Sequence, residues 1–527
     1  MILSTLVWLP LLAALVVAFL KDGRAVRAVA LAFALFDLVL ALFVLSWFDP
    51  SHGSFQFKET LPFLPQYGVS YALALDGISL WLVLLTAFLT PLVVLGSFRT
   101  IQKGVPGYYA CVLLMECAML GTFLAVDLFW FYLFWELMLI PMFFLIGLWG
   151  GEQRIYATVK FVLFTLFGSL ALLVALLAVA HEAKTFSVEK IMEMRLPEDL
   201  QLWCFLGFAL AFLIKVPMVP LHTWLPDAHT EAPAGASVIL AGVLLKMGAY
   251  GFLRFCIPLF PDAARTLAPA LLLLAVVGIV HGALAAAAQP DLKRMVAYSS
   301  VSHMGFVILG IFTFSLTGLQ GGMLQIVNHG VNTGALFFLV GMLYDRRHTR
   351  LLSDFGGLAR PAPLLATAFL VTSLASIGLP GLNAFVGEFM TLLAAFTAGG
   401  RTMKLLAAAA VLGVVFGAWY MLSAYGRVFF GPVTREENRG VRDLTVREIA
   451  VLLPLLVLMF FGGVNPGFFL RPMEKSLQMH VMERMKPPPP MTEFAAQQLR
   501  HQQELEERIL QAEEAAGTKK RKRGLMK

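Results

Sequence analysis

The sequence predicts an all-α polytopic membrane protein of about fourteen transmembrane helices, with two inverted five-helix repeats and two discontinuous helices, the seventh and the twelfth. Three observations predict it. Of the 527 residues, 59% are hydrophobic and 14% charged, and the mean hydropathy is +0.79, beyond what a soluble chain keeps in water. Apolar runs of about 20 residues recur from end to end, and each suffices to cross the roughly 30 Å hydrocarbon layer. Basic residues gather in the short loops between these runs, which is a membrane-topology pattern.

Taken in order, the first span (2–20) begins at the N-terminus without a basic leader or a small-residue cleavage site, so it reads as a retained span and not a removable signal. Nothing in it suggests an organelle address. The next spans cover 25–48, 74–98, 106–126, 128–149, 155–180, 201–223, 233–256, 266–288, 294–315, 318–344, 363–398, 405–430 and 446–466. Loops after odd-numbered spans carry Lys21, Arg99, Arg154, Arg294, Arg346, Arg350, Arg435 and Arg439, among others, while loops after even-numbered spans hold far fewer basic residues. The positive-inside rule therefore places the odd loops in the cytoplasm and both termini outside, which is the periplasmic side of the cell (inner) membrane if the host is a Gram-negative bacterium. After Pro487 the composition changes to PPPP, a Glu- and Gln-rich stretch and a basic end, which reads as a solvated helix or a disordered tail.

Two spans are interrupted in a similar way. The seventh carries Pro217 and Pro220, and the twelfth carries Gly378, Pro380 and Gly381. Proline removes a backbone donor and glycine loosens a helix, so each site frees polar backbone at membrane depth. Such backbone survives only where protein buries it or it lines a cavity. Breaks five spans apart point to inverted repeats of spans 4–8 and 9–13, which divides the chain into 1–105, a first repeat 106–256, a second repeat 266–430, a last helix within 446–470 and the polar tail 487–527.

The ionisable residues inside the spans carry the chemistry. Glu136 has apolar residues on both sides, and an isolated charge there costs at least about 2.5–3.5 kcal/mol, so it should face the bundle interior and pair. Lys215, at the break of the seventh span, is the expected partner. A buried structural ion pair is the plainer reading, but the broken helix beside it favours function. Lys246, mid-span in VILAGVLLKMGAYGFLRF, has no carboxylate in its own span, and burial readies a lysine to exchange its proton near neutral pH. His303 and His329 stand near Ser299, Ser300, Asn328 and Asn332, a set suited to a hydrogen-bonded proton wire. Glu388 follows the break of the twelfth span, in a position read as mirroring Lys215. His222, Asp227 and His229 form either a proton entrance or only a capped turn.

Other chemistry is excluded by what the chain lacks. Cys111, Cys117, Cys204 and Cys256 lie apart in apolar segments without CxxC clusters, so neither a metal nor a disulfide is expected. No GxGxxG or GxxxxGK[ST] motif is present, so no nucleotide or flavin cradle is encoded. The net charge of +7 follows loop topology, and nucleic-acid binding is not expected.

The run LIKVPMVPLHTWLPDAHTEAP, followed by Lys246, QPDLKRMVAYSSVSHMGF and LPGLNAFVGEF, resembles the antiporter-like membrane subunits of respiratory complex I, the proton-translocating NADH:quinone oxidoreductases. The resemblance runs from the first span to the fourteenth. The glutamate in GEF resembles the M type, the counterpart of mitochondrial subunit 4, and the absence of a fifteenth span and a lateral helix agrees with that type. The resemblance implies that Glu136 and Lys215 form a coupling pair, that Lys246 is the central proton-holding site, that His303 and His329 connect it to the second half, and that Glu388 is the exit-side residue. It implies a translocase subunit with no cofactor of its own, with NADH, FMN, iron–sulfur clusters and quinone in partner subunits. It also implies contacts with the antiporter-like chains L and N, small membrane chains and lipids, and no small-molecule substrate except protons. A subunit of a multi-subunit cation/proton antiporter or of a membrane-bound hydrogenase would share these residues, and a purely structural spacer is the rival of another class.

Overall fold

A chain in lipid must satisfy its backbone N–H and C=O groups internally, and helices do so within one segment. The computed structural model, which describes residues 1–433 and 435–486, meets that demand almost entirely with helices; the tail beginning at residue 487 lies outside the described residues. The first two helices, α1 (Ile2–Phe19) and α2 (Gly23–Trp47), meet at Asp22, whose carboxylate accepts the Arg24 and Ala25 N–H groups and caps α2. An antiparallel hairpin follows, β1 (Gln56–Leu64) and β2 (Val69–Leu75), with Glu59 opposite Leu73 and Thr60 opposite Ala72. The span reading had no strands here and began a helix at 74. Strand β2 ends only at Leu75, because Asp76 caps α3 (Gly77–Gly96) through a capping box with Ser79. The hairpin is tied to the bundle by Glu59, which accepts the Leu3 N–H at 2.9 Å and the Ser4 N–H at 3.0 Å.

Then come α4 (Val105–Leu124), α5 (Leu128–Leu137) and α6 (Leu139–Trp149), the last two forming one span with a slip at Met138. The long α7 (Arg154–Ala183) leads to the short α8 (Val188–Glu193) and to α9 (Glu198–Lys215). After a break, α10 (Trp224–Glu231) resumes the path. A single rod follows, made of α11 (Ala234–Ile239), α12 (Lys246–Gly251) and α13 (Ile257–Leu259), joined by the wider π-helical turns Leu240–Leu244 and Phe252–Cys256. The second half contains α14 (Pro261–Ala287), α15 (Leu292–Ile311) and α16 (Leu316–Arg347). The broken pair α17 (Pro363–Ser376) and α18 (Asn383–Thr397) precedes α19 (Gly400–Phe429), α20 (Val446–Val464) and α21 (Gly467–Leu477).

Among the described residues, twelve helical stretches are long and apolar enough to cross a membrane. Adding the two interrupted helices, α9–α10 and α17–α18, gives the fourteen expected. Their burial is unequal: the rod from Ala234 to Leu259 is wholly enclosed, whereas only 28% of the most apolar stretch of α2 is buried. The rod, α15 and α16 therefore form the centre, and α2, α19 and α20 the periphery. Helix α21, which the span reading did not anticipate, is amphipathic and packs on the start of α3: Trp81 Nε1 donates to the Phe469 carbonyl at 2.9 Å, and the Gly77 N–H donates to Ser476 Oγ at 3.0 Å.

Candidate proton-transfer site

The rod sets the centre of the site. Its first π-helical turn widens the helix just before Lys246, a form of helix common at functional sites. The Lys246 ammonium, wholly buried, donates to the Ala241 carbonyl of that turn and meets His329 Nδ1 of α16 at 2.5 Å. When Lys246 carries its proton, His329 Nδ1 is the acceptor and the His329 ring proton sits on Nε2. The His329 ring centroid lies 5.9 Å from that of His303 on α15. His303 Nδ1 in turn is 2.8 Å from Glu388 Oε1 on α18, which also accepts the Gln325 side-chain N–H at 2.9 Å. Four buried titratable groups thus stand in one line across α12, α16, α15 and α18.

The second break touches this line directly. Gly378 has φ +72° and Gly381 φ +93°, values that L side chains rarely adopt. A Cβ at Gly378 would come within 3.0 Å of Glu388 Oε2, so the break brings bare backbone against the carboxylate. Asn328 on α16 donates to the Asn383 carbonyl at 2.8 Å and holds the start of α18 in place. The expectation that Glu388 mirrors Lys215 needs correction: Lys215 is the last residue of α9, before its break, whereas Glu388 lies within α18, after its break. Residues 216–223 form the first break, where Pro217 has φ +20° and the Val219–Pro220 peptide bond is cis.

Glu136 and Lys215 do not form the direct ion pair the sequence suggests. The Lys215 ammonium lies over the Trp135 ring, 4.9 Å from its centroid, and Trp135 is anchored by an N–H donated to Ser169 Oγ at 3.0 Å. Glu136, the next residue, is turned about 100° around the helix from Trp135. It is half-buried, with Oε1 enclosed, and borders an apolar hollow with Trp8, Leu133, Ile140 and Phe143. Its carboxylate still acts on Lys215 through space. Lys215 backs onto the rod, for a Cβ at Gly248 would lie 3.1 Å from Lys215 Cβ, two residues past Lys246.

The three candidates for an entrance separate. Asp227 is held by Lys160 at 2.7 Å and Arg294 at 3.0 Å, the arrangement of a fastened turn. The His222 ring packs against His281, with centroids 5.1 Å apart, and against Tyr298. His229 alone turns toward the centre: it is fully buried, stacked on Phe337, and neither ring nitrogen has a hydrogen-bond partner among the described residues.

Sequence reasoning missed several buried polar residues. Gln325 holds Glu388. Lys293 donates to the Thr230 and Ala232 carbonyls and pins the end of α10. Arg254 pairs with Asp76, and His480 Nε2 approaches Asp76 at 3.7 Å. Asp37 on α2 and Glu116 on α4 are buried carboxyl groups. The intramembrane-charge rule that singled out Glu136 would have found Asp37, Glu116 and Arg254 as well.

A membrane bundle with two broken helices, and a buried Lys–His–His–Glu line through its centre, defines an antiporter-like membrane subunit. Residues 125–417 match the family model described as NADH:quinone oxidoreductase/Mrp antiporter, transmembrane, and the chain belongs to that family. It is similar to NADH-quinone oxidoreductase subunit M of Rickettsia prowazekii (strain Madrid E), 40% identical over 484 residues, covering 90% of this chain and 98% of that protein. It is equally similar, at 40% over 478 residues, to NADH-ubiquinone oxidoreductase chain 4 of Marchantia polymorpha, covering 90% of this chain and 96% of that one. Among solved structures, a chain of respiratory complex I from Thermus thermophilus with bound NADH superposes with a TM-score of 0.84 at 37% identity, covering 92% of this chain and all of that one.

Proposed function

We propose that this chain is the M-type, proton-translocating membrane-arm subunit of an NADH:quinone oxidoreductase, and that Lys246, His329, His303 and Glu388 carry the proton. The observation that carries this reading is the line of contacts itself: Lys246 to His329 at 2.5 Å, and His303 to Glu388 at 2.8 Å. A proton leaving Lys246 Nζ enters His329 at Nδ1, while the proton on His329 Nε2 passes toward His303. His303 then delivers a proton from Nδ1 to Glu388 Oε1. The two ring centroids lie 5.9 Å apart, and each histidine is reset by taking up the proton behind it. Glu388 releases its proton along the open backbone at Gly378 and Gly381.

His229 and the first break lie on the entrance side, with His222 beside them and Asp227 keeping the turn fixed. Glu136 and Lys215 act as the coupling element without touching: a change in the charge on Glu136 alters the field at Lys215, which lies against the rod that carries Lys246. Inverted repeats over 106–256 and 266–430 account for the paired breaks. The chain itself performs no redox step; NADH, FMN, iron–sulfur clusters and quinone belong to partner subunits, and quinone reduction there supplies the energy. Chains L and N, small membrane chains and lipids are its neighbours in a bacterial cell membrane, with both termini outside.

The test is proton uptake into vesicles during NADH oxidation by the assembled complex carrying Lys246→Ala. Electron transfer with a lowered proton yield is expected. A proton yield equal to that of the unaltered complex would overturn the reading and favour a structural spacer, and sodium transport by the isolated chain would favour a cation/proton antiporter.

A further inference from the structure

The transfer line leaves two buried acids unused. Asp37 lies in α2 and Glu116 in α4, both completely enclosed. Helices α2 and α4 pack on one another, and the two side chains interact across that contact. None of their four oxygens accepts a hydrogen bond from a donor among the described residues. The Thr90 hydroxyl lies beside Glu116, but its single hydrogen goes to the Thr86 carbonyl at 3.0 Å. Among the described residues, no lysine, arginine or histidine forms an ion pair with either acid. Glu388 differs in both respects, since His303 and Gln325 both reach it.

Two ionised carboxylates facing each other in an apolar interior would combine the desolvation of two charges with their mutual repulsion. Two carboxyl groups in contact escape this by holding a proton between them, one donating and the other accepting. A shared proton supplies the hydrogen bond that no donor among the described residues makes to either acid. We propose that Asp37 and Glu116 form a proton-binding pair, separate from the Lys246–Glu388 line, whose shared proton fastens α2 to α4. The placement gives it a purpose. Helix α2 turns Leu35, Phe36, Val39 and Leu42 outward, so a polar link on its inner side fixes a helix that is otherwise little enclosed.

The test is infrared spectroscopy of the assembled complex, unaltered and with the double change Asp37→Asn and Glu116→Gln. The amides supply N–H donors in place of the shared proton, so the double variant should assemble to the same extent. The difference spectrum should show a protonated carboxyl C=O band, shifted in heavy water, that the double variant lacks. If the double variant does not assemble, Glu116→Gln alone gives the reading: the remaining Asp37 carboxyl keeps its proton against the amide oxygen, so the band should shift in frequency. A band retained in the double variant, or one unchanged in frequency in Glu116→Gln, overturns the proposal. So do carboxylate bands in the unaltered complex that move when sodium is exchanged for potassium, since a bound cation would then hold the pair. The outcome is independent of the transfer line, whose own test is the proton yield of Lys246→Ala.

Discussion

At the scale of single residues, the proposed transfer line joins buried groups whose partners lie on different helices. Lys246 and His329 come from α12 and α16, and His303 and Glu388 from α15 and α18. Removing the receiving end should therefore stop transfer without unfolding the bundle. Glu388→Gln keeps a polar side chain near Gln325 but cannot take a proton from His303, and proton yield per NADH oxidised should fall by the share this chain carries, measured as pH change outside proteoliposomes. His329→Leu should do the same, because the Lys246 ammonium loses its outlet, while uncoupled NADH oxidation continues. Lys246, His303, His329 and Glu388 were all legible in the sequence as charges or histidines inside apolar runs. Their order along the route was not, since contacts spanning 83 and 85 residues of sequence are set only when the helices pack. Glu136 shows the converse: its residue type announced a function, and the direction it faces came from the turn of α5.

At the scale of elements, the breaks and the wide turns place the chemistry. Proline and glycine marked both breaks in the sequence, whereas the π-helical turns on either side of Lys246 have no comparable signal, because they arise from packing along a rod with no exposed side. Gly378→Ala would force a side chain into φ +72° and set its Cβ 3.0 Å from Glu388 Oε2. The backbone term alone costs about 1–2 kcal/mol, and the displaced carboxylate should lower the proton yield while assembly is kept. The hairpin and α21 escaped the hydropathy reading because neither is a span: one is too short and the other amphipathic. Their fit is close all the same. A Cβ at Gly77 would stand 2.0 Å from the Pro472 carbonyl oxygen, so Gly77→Ala should loosen α21 from α3 and expose it to limited proteolysis.

At the scale of the whole molecule, residues 1–485 form one body, and one end of it is fastened by charge. Asp76 at the start of α3, Arg254 at the end of the rod and His480 after α21 meet in one buried cluster. Arg254→Met would leave Asp76 buried without a counter-charge, a loss of about 3–5 kcal/mol, and the subunit should assemble poorly and melt earlier in detergent. The opposite end carries the basic loops and is predicted to face the cytoplasm. Arg439, exposed in the described structure, provides the check: a cysteine placed there should react with an impermeant thiol reagent only in inside-out vesicles.

Composition and periodicity by themselves determined that this chain lives in a membrane, that it crosses about fourteen times, and that lysine, histidine and glutamate inside the crossings need a reason to be there. Those conclusions are legible because hydrophobicity and helix-breaking are properties of local sequence. Tertiary structure alone decided which charges meet. It put Trp135 against Lys215 and turned Glu136 aside, lined up Lys246 with Glu388 through two histidines, and set Asp37 against Glu116. Each of those pairings depends on the rotation of one packed helix against another, and a rotation of about 100° per residue turns a side chain from partner to bystander without changing the composition at all.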